Sequence, residues 1–307
     1  MPGRHDGRFA PSPTGPLHLG NLRTALIAWL FARSRGARFV LRIEDLDPQR
    51  SKLVHEEGQL ADLLAIGVDW DGEPVRQSAR RELYLQALSR LEAAGRVYPC
   101  WCTRAEIRAA TEAPHGPLPE GAYPGTCRRL TAAERAERER TADRLPALRL
   151  DAAGQRVAFT DLVRGPQEGV VDDFVLRRGD GTPAYNLAVV VDDAAQDIAE
   201  VVRGHDLIDS TPRQLLLARL LGLRAPRHAH VPLVVGPDGA RLAKRHGAVT
   251  LAGRAAHGEE AADAVVWMAQ SLGLAEPGET IRAADLIERF DPGRLPAEPT
   301  VLEPAAG

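Results

Sequence analysis

Cysteine is scarce in this chain, with three in 307 residues. So small and odd a number excludes the disulfide framework of a compact secreted domain and fits a reducing compartment, so a cytoplasmic location is expected. No apolar run is long enough to span a bilayer, and no basic-then-apolar leader is present, so no membrane partner is expected. A surplus of one charge sign is also lacking. The formal net charge of -3 excludes a chain drawn to nucleic acid by bulk charge alone, while leaving room for a local basic face. Internal repeats and low-complexity tracts are absent apart from an Ala/Arg/Glu-rich patch near 131–144, which sets aside solenoids and disordered linkers. A hydrophobic fraction of 44% is enough to bury a full core in one large or two modest domains.

The most informative stretch is Arg8-Phe9-Ala10-Pro11-Ser12-Pro13-Thr14-Gly15-Pro16-Leu17-His18-Leu19-Gly20-Asn21. A rigid Pro- and Gly-rich turn leads into an amphipathic pattern with Leu22, Ala25, Leu26, Trp29 and Leu30 at helical spacing. Gly36 reads as its C-cap, and Phe39-Val40-Leu41-Arg42-Ile43 as a strand. His18 is thus placed in a turn that opens a helix within a βαβ unit. Unpaired N–H groups and a partial positive charge at such a helix end suit phosphate, and a nearby Gly lets a nucleotide approach the backbone. Taken as an isolated Pro/Gly loop, the same residues would only make a tight turn, with His18 capping the helix.

Further on, Leu53 to Gly67 and Ala79 to Gly95 have helical spacing, and Val97-Tyr98-Pro99-Cys100 reads as a short strand. Residues 103–147 break the rhythm, with Pro114, Pro117, Pro119 and Pro124 among Gly116, Gly121 and Gly125, as in an insertion with its own organisation. Arg128 to Arg149 mixes both charge signs at helical spacing and reads as a solvated helix, with arginines free to touch RNA. Phe174 to Arg177 reads as a strand, Gly179-Asp180-Gly181 as a hairpin turn, and Ala184 to Val191 as the return strand ending in Asp192-Asp193. A strand over Ile198 to Arg203 and a helix capped by Ser210-Thr211-Pro212 and ending near Gly222 follow. The expected class is α/β with a parallel sheet.

The string from Arg8 to Gly20 resembles the HIGH region of class I aminoacyl-tRNA synthetases, in the glutamyl and glutaminyl branch. Those enzymes carry an Arg-Phe-Ala-Pro-Ser-Pro-Thr-Gly lead-in followed by His-x-Gly. Asn21 departs from the second His of the motif, at a position variable in that branch. A second signature, Arg241-Leu242-Ala243-Lys244-Arg245-His246-Gly247, follows the Gly236-Pro237-Asp238-Gly239 turn and is similar to the KMSKS loop. Lys244 stands for its second Lys, Arg241 for the first, and Ala243 replaces the Ser. By itself such a basic loop is usually solvated surface. Paired with the first motif, it suits closure over a triphosphate and stabilisation of charge as pyrophosphate leaves.

The resemblance implies a glutamate pocket at Arg8, Phe9, Ala10, Pro11 and Ser12, with Glu44 for the substrate ammonium and Tyr185 and Arg203 for its two ends. It implies ATP binding, with magnesium, at His18, Gly20 and Lys244, of which His18 and Lys244 are catalytic. The chemistry is coherent, since a diacid needs cationic or hydroxyl partners and an ammonium needs an acid. Considered singly, Glu44 and Arg203 are ordinary strand-end charges. Where full-length glutamyl-tRNA synthetases carry an Asn, this chain has Val189. The run Tyr185 to Asp193 looks instead like a shorter paralogous branch that glutamylates queuosine in the anticodon of tRNA(Asp).

Cys100-Trp101-Cys102 and Cys127 are three thiols that, with one further ligand, would make a tetrahedral structural zinc site. Chemistry alone nominates His115 as the fourth ligand. The branch has a Cys-x-Cys, Tyr-x-x-x-Cys pattern with Tyr as ligand, which implies Tyr123. Three free, partly buried cysteines are the alternative.

Four regions are expected: 1–99, the first half of a Rossmann-type catalytic domain; 100–170, an insertion with the zinc site; 171–247, the second half, ending in the KMSKS-like loop; and 248–307, a short helical segment. The last holds one helix near Glu259 to Leu272 and a Pro-rich tail, with no anticodon-binding region. The function implied is ATP-dependent formation of glutamyl-adenylate from L-glutamate, then transfer to queuosine of tRNA(Asp). Rival readings are a truncated glutamyl-tRNA synthetase charging a 3′ end, a non-catalytic regulatory paralogue, and an unrelated nucleotidyltransferase with a His-x-Gly turn.

Overall fold

In the computed structural model, residues 5–111, 122–242 and 246–303 are described. The N-terminal half runs β1 (Gly7–Phe9), α1 (Leu19–Arg33), β2 (Phe39–Ile43), α2 (Leu53–Ala65), β3 (Val75–Arg76), α3 (Arg81–Ala93), β4 (Val97–Cys100) and α4 (Arg104–Thr111). It continues through α5 (Ala132–Thr141), β5 (Ala147–Leu150), β6 (Arg156–Asp161), β7 (Gly165–Val170), β8 (Val175–Arg177) and α6 (Tyr185–Ala195). The chain closes with β9 (Glu200–Gly204), α7 (Thr211–Leu221), β10 (Arg227–Val231), β11 (Val234–Val235), α8 (Leu251–Ala255), α9 (Ala261–Ser271) and β12 (Thr300–Val301).

The expected parallel sheet is present. β1 pairs parallel with β2 and β2 with β3, while β9 pairs parallel with β10. The two groups are tied where the N–H groups of Ala199 and Glu200 donate to the Asp6 carbonyl at 2.9 and 3.1 Å. α1 packs into one core with β1, β2, β10 and α9, burying Leu22, Leu26, Leu30, Phe39, Ile43, Val231 and Met268. Its pattern predicts an amphipathic helix. Instead nearly every residue from Leu22 to Ala32 is buried, because sheet and C-terminal helices cover it on both sides. Gly67, at φ +78°, closes α2 in the left-handed conformation only Gly adopts freely, and Gly222 at φ +65° does the same for α7.

A second core joins α3, α6 and α7 to an antiparallel sheet of order β4-β5-β8. That sheet takes strands from both sides of the boundaries expected at 99/100 and 170/171. Here the sequence misleads at Ala184 to Val191. The hairpin turn forms, with Arg178 N–H donating to the Thr182 carbonyl at 2.9 Å, but its return arm is a single bridge between Arg177 and Pro183. The chain then enters α6. Three consecutive valines favour a strand locally, yet Leu187 to Asp193 are all buried, and a helix enclosed on all sides has no polar face to reveal its period. The helix expected over 128–149 shrinks to α5, which has no buried residue and is opened by a Thr131–Glu134 capping box, before β5 begins. Ser210 makes no side-chain cap because a 3-10 turn over His205–Ser210 already holds it in helical conformation, while Pro212 occupies the first turn as expected. Among the described residues no helix is long and apolar enough to cross a membrane.

Candidate active site

The Pro/Gly loop leaves β1 and is pinned from below. The buried Gln59 amide donates to the carbonyls of Ser12 at 3.0 Å and Gly15 at 2.7 Å, and Lys52 N–H donates to the Pro13 carbonyl at 3.0 Å. His18 ends the loop as the N-cap of α1. Its Nδ1 accepts from Asn21 N–H at 3.2 Å, and its own N–H donates to Asn21 Oδ1 at 3.2 Å. Asn21 therefore closes a capping box. With Nδ1 acting as acceptor, the neutral imidazole carries its proton on Nε2. Burial, then the nearby Arg241 charge, lowers the His18 pKa and favours that neutral form. A Cβ on Gly20 would lie 3.0 Å from His18 Nδ1 and 3.3 Å from Val234 Cβ, so the glycine lets the imidazole sit against the helix.

A cleft of about 480 Å³ opens here. It is lined by Arg8, Phe9, Ala10, Pro11, Ser12, His18, Gly20, Glu44, Tyr185 and Arg203. Every expected substrate and nucleotide residue is thus brought together except Lys244, which with Ala243 and Arg245 lies outside the described residues. Arg241, at the start of that loop, pairs with Asp206 at 2.8 Å. Tyr185 opens α6, 40% exposed into the cleft, while Val189, one turn on, is buried in the second core.

The charged walls are held from behind. Glu44 follows β2, its N–H donating to the Pro11 carbonyl at 2.9 Å. Its carboxylate lies 3.5 Å from Arg42 Nη2, and fully buried Arg42 bonds in turn to Asp193 at 2.8 Å and Gln196 at 2.9 Å. Asp193 also lies 3.4 Å from Arg8 Nε, and Arg8 donates to the Val202 carbonyl at 3.3 Å. Burial raises the Glu44 pKa, and the Arg42 and Arg8 charges do not cancel it. Arg203 is buried and donates to His230 Nε2 at 3.0 Å, Gln214 Oε1 at 2.8 Å, Thr211 Oγ1 at 2.8 Å and the Leu207 carbonyl at 3.2 Å.

A second cleft, of about 760 Å³, shares Ser12, Glu44 and Tyr185 with the first. Arginines 50, 104, 144, 149 and 178 line it, and the first three and the last are exposed. Beside it, Cys100, Cys102 and Cys127 bring three sulfurs within 4.8 Å of one another. Tyr123 Oη lies 3.4 Å from Cys100 Sγ and 3.7 Å from Cys102 Sγ, and the Cys102–Cys127 sulfurs are 3.5 Å apart. Tetrahedral zinc with bonds of about 2.3 Å separates its sulfur ligands by about 3.8 Å, so the cluster has the dimensions of such a site. Hydrogen bonds within the trio, from Cys102 and then Cys127, lower the Cys100 thiol, while those with Cys100 and then Cys127 raise the Cys102 thiol, so the cluster by itself favours a thiolate at Cys100 alone. His115 lies outside the described residues.

The family model for class I tRNA synthetases (E and Q), catalytic domain, matches residues 6–300. The chain belongs to this synthetase family. Within it, the chain is 58% identical to a glutamyl-Q tRNA(Asp) synthetase of Nocardia farcinica, covering 96% of this chain and 92% of that one. It is 53% identical to a protein of the same name from Symbiobacterium thermophilum, covering 95% and 94%. Among solved structures, a glutamate tRNA ligase from Elizabethkingia meningosepticum, in complex with its amino acid, superposes with a TM-score of 0.82 at 30% identity, over 97% of this chain and 67% of that one.

Several residues that build this synthetase cleft escape sequence reasoning: Arg42, Gln59, Asp161, Asp193, Gln214 and His230. Arg42 reads as one more strand residue, and Asp192-Asp193 as the end of a strand. The faint signal was the alternation His228-x-His230, two polar residues on one side of a strand, both of which are buried.

Proposed function

We propose that this chain activates L-glutamate with ATP and transfers it to queuosine of tRNA(Asp). The observation that carries the reading is the convergence of Arg8, Glu44, Tyr185 and Arg203 on one cleft that also holds the N-terminus of α1. The near full-length similarity to proteins named glutamyl-Q tRNA(Asp) synthetase supports the acceptor.

Glu44 takes the substrate ammonium, while Arg203 and Tyr185 hold its two ends, Arg203 at the side-chain carboxylate, and Arg8 lines the pocket beside them. The α-carboxylate oxygen attacks the α-phosphorus of magnesium-bound ATP, the bond to the β-phosphate oxygen breaks, and glutamyl-adenylate and pyrophosphate form. His18 donates from Nε2 to the phosphates and Lys244 neutralises the charge that develops. No general base is required, because the nucleophile is already a carboxylate. A hydroxyl of the queuosine cyclopentenediol then attacks the acyl carbon and AMP departs. Cys100, Cys102, Tyr123 and Cys127 hold a structural zinc ion beside the second cleft, through which the RNA reaches the adenylate.

The test is transfer of labelled glutamate, with ATP, to bulk tRNA from queuosine-containing and queuosine-deficient cells. Label confined to the first pool is expected. Equal label on both would make the chain a 3′-charging synthetase, and none on either, with both pools proved competent, would leave a regulatory paralogue.

A further inference from the structure

Arg203 is held more elaborately than a wall charge requires. The hairpin β6–β7 sends Asp161, fully buried, against the equally buried His230 on β10, with Asp161 Oδ2 and His230 Nδ1 2.6 Å apart. Asp161 Oδ1 meanwhile accepts backbone N–H groups from Val163 at 3.0 Å, Arg164 at 2.9 Å and His230 at 3.1 Å. These donors and the imidazole hold Asp161 ionised, with a pKa of about 2 despite its burial. A carboxylate accepts only, so Nδ1 carries the imidazole proton and Nε2 presents a lone pair. That lone pair receives Arg203 Nε–H at 3.0 Å, and the His228 ring stacks on His230 at 6.0 Å. Burial lowers the His230 pKa, which keeps the imidazole neutral.

A guanidinium has five N–H bonds. His230, Gln214, Thr211 and the Leu207 carbonyl account for four of them, which leaves one, on Nη1, for the Tyr185 hydroxyl and the cleft that both side chains line. The usual two-pronged fork of Arg is therefore absent, and a single bond of fixed direction replaces it. A buried carboxylate set against a neutral imidazole is a poor device for stability alone, because desolvating the charge offsets much of what its hydrogen bonds contribute.

We propose that His230, with its tautomer set by Asp161, is a positioning residue that aims the one remaining Arg203 proton and so sets selectivity for glutamate over glutamine. This rests on the assignment of Arg203 to the substrate side-chain carboxylate. Asp161 lies in the segment between the two halves of the parallel sheet, so the pocket's selectivity depends on a hairpin remote in sequence from both signature motifs.

The test is ATP–pyrophosphate exchange with glutamate and with glutamine, on the full chain carrying Asp161→Asn, His230→Gln or His230→Phe, with Arg203→Ala as reference. In Asp161→Asn the new amide would keep its oxygen on the backbone N–H groups and turn its NH₂ to Nδ1, so that Nε2–H would oppose Arg203 Nε–H. Asp161→Asn and His230→Phe are expected to raise the glutamate KM about tenfold or more and to narrow the preference over glutamine. The KM for ATP and kcat at saturating glutamate stay within about twofold. His230→Gln, whose side-chain oxygen reaches toward the Nε2 position, restores most of the affinity. If His230→Phe fails to fold, the near-isosteric Asp161→Asn decides alone. Folded Asp161→Asn with unaltered glutamate KM, beside Arg203→Ala with a raised one, would overturn the proposal and leave the glutamate reading intact. An unaltered KM in Arg203→Ala would remove the glutamate assignment itself.

Discussion

Replacing Glu44 with Gln separates the demands of binding from those of folding. The carboxylate sits on the cleft wall, its side chain 10% exposed, with Arg42 Nη2 at 3.5 Å as its nearest cation. Arg42 does not depend on it, because Asp193 at 2.8 Å and Asp192 at 3.7 Å remain. Gln keeps the shape and loses the charge that meets the substrate ammonium. A hydrogen bond to a charged group contributes about 1.5–3 kcal/mol, so the glutamate KM in ATP–pyrophosphate exchange should rise about 10- to 150-fold, with little change in the KM for ATP. Stability should move the other way or not at all. Burial raises the Glu44 pKa above its ordinary value of 4.5, so the folded protein binds this proton more tightly than the unfolded chain. The group's contribution to stability is therefore greatest below the ordinary value and is lost as pH rises through the raised one. At neutral pH the Gln variant should melt at or above the wild-type temperature. In the wild type, glutamate affinity should fall on acidification at a pH above the usual carboxylate range, and the variant should lose that limb. A KM shift under about threefold, or a clear drop in melting temperature, would refute the reasoning and make Glu44 a structural ion-pair partner.

Lys244→Ala should lower kcat for pyrophosphate exchange about 10²- to 10³-fold with the glutamate KM nearly unchanged, and equal losses in both would remove its assigned role. Cys127→Ser should reduce zinc, measured by atomic absorption, from about one per chain to well below that, and lower the melting temperature by roughly 5–10 °C. Unchanged metal content would refute that site. Gly20→Ala sets a methyl 3.0 Å from His18 Nδ1, which should push the imidazole out of the cap and lower kcat for activation. Full activity in a folded Gly20→Ala protein would show that the position of the ring does not matter.

How much of this was legible in the sequence varied with how local the determining physics was. The His18 turn, the ends of α2 and α7 and the first-turn Pro212 were readable because glycines, prolines and caps act within a few residues. The parallel sheet was readable through the alternation of helix and strand patterns, and the residues that line the cleft only through the family resemblance. α6 was not, since its conformation is decided by what surrounds it: a valine-rich segment buried on every side gives no period by which helix and strand differ. Nor were Arg42, Asp193, Asp161 and His230, each of which is tied into the cleft wall by a contact far away in sequence. The distance of 69 positions between Asp161 and His230 leaves no local trace of the pair.

The identity of α6 as a helix carries a consequence for how the chain tolerates change in length. Tyr185 begins this helix and Asp192 and Asp193 lie two turns on, so one rigid rod carries both a cleft wall and the carboxylates that brace the arginines behind it. One residue added within the rod would turn everything downstream by about 100° and break both together. The turn at Gly179-Asp180-Gly181 just before it is held by one bridge and by Arg81, which donates to the Gly181 carbonyl at 2.9 Å, and it carries none of these carboxylates. Among relatives, drift in chain length should therefore gather at that turn and spare the 11 residues that follow Ala184.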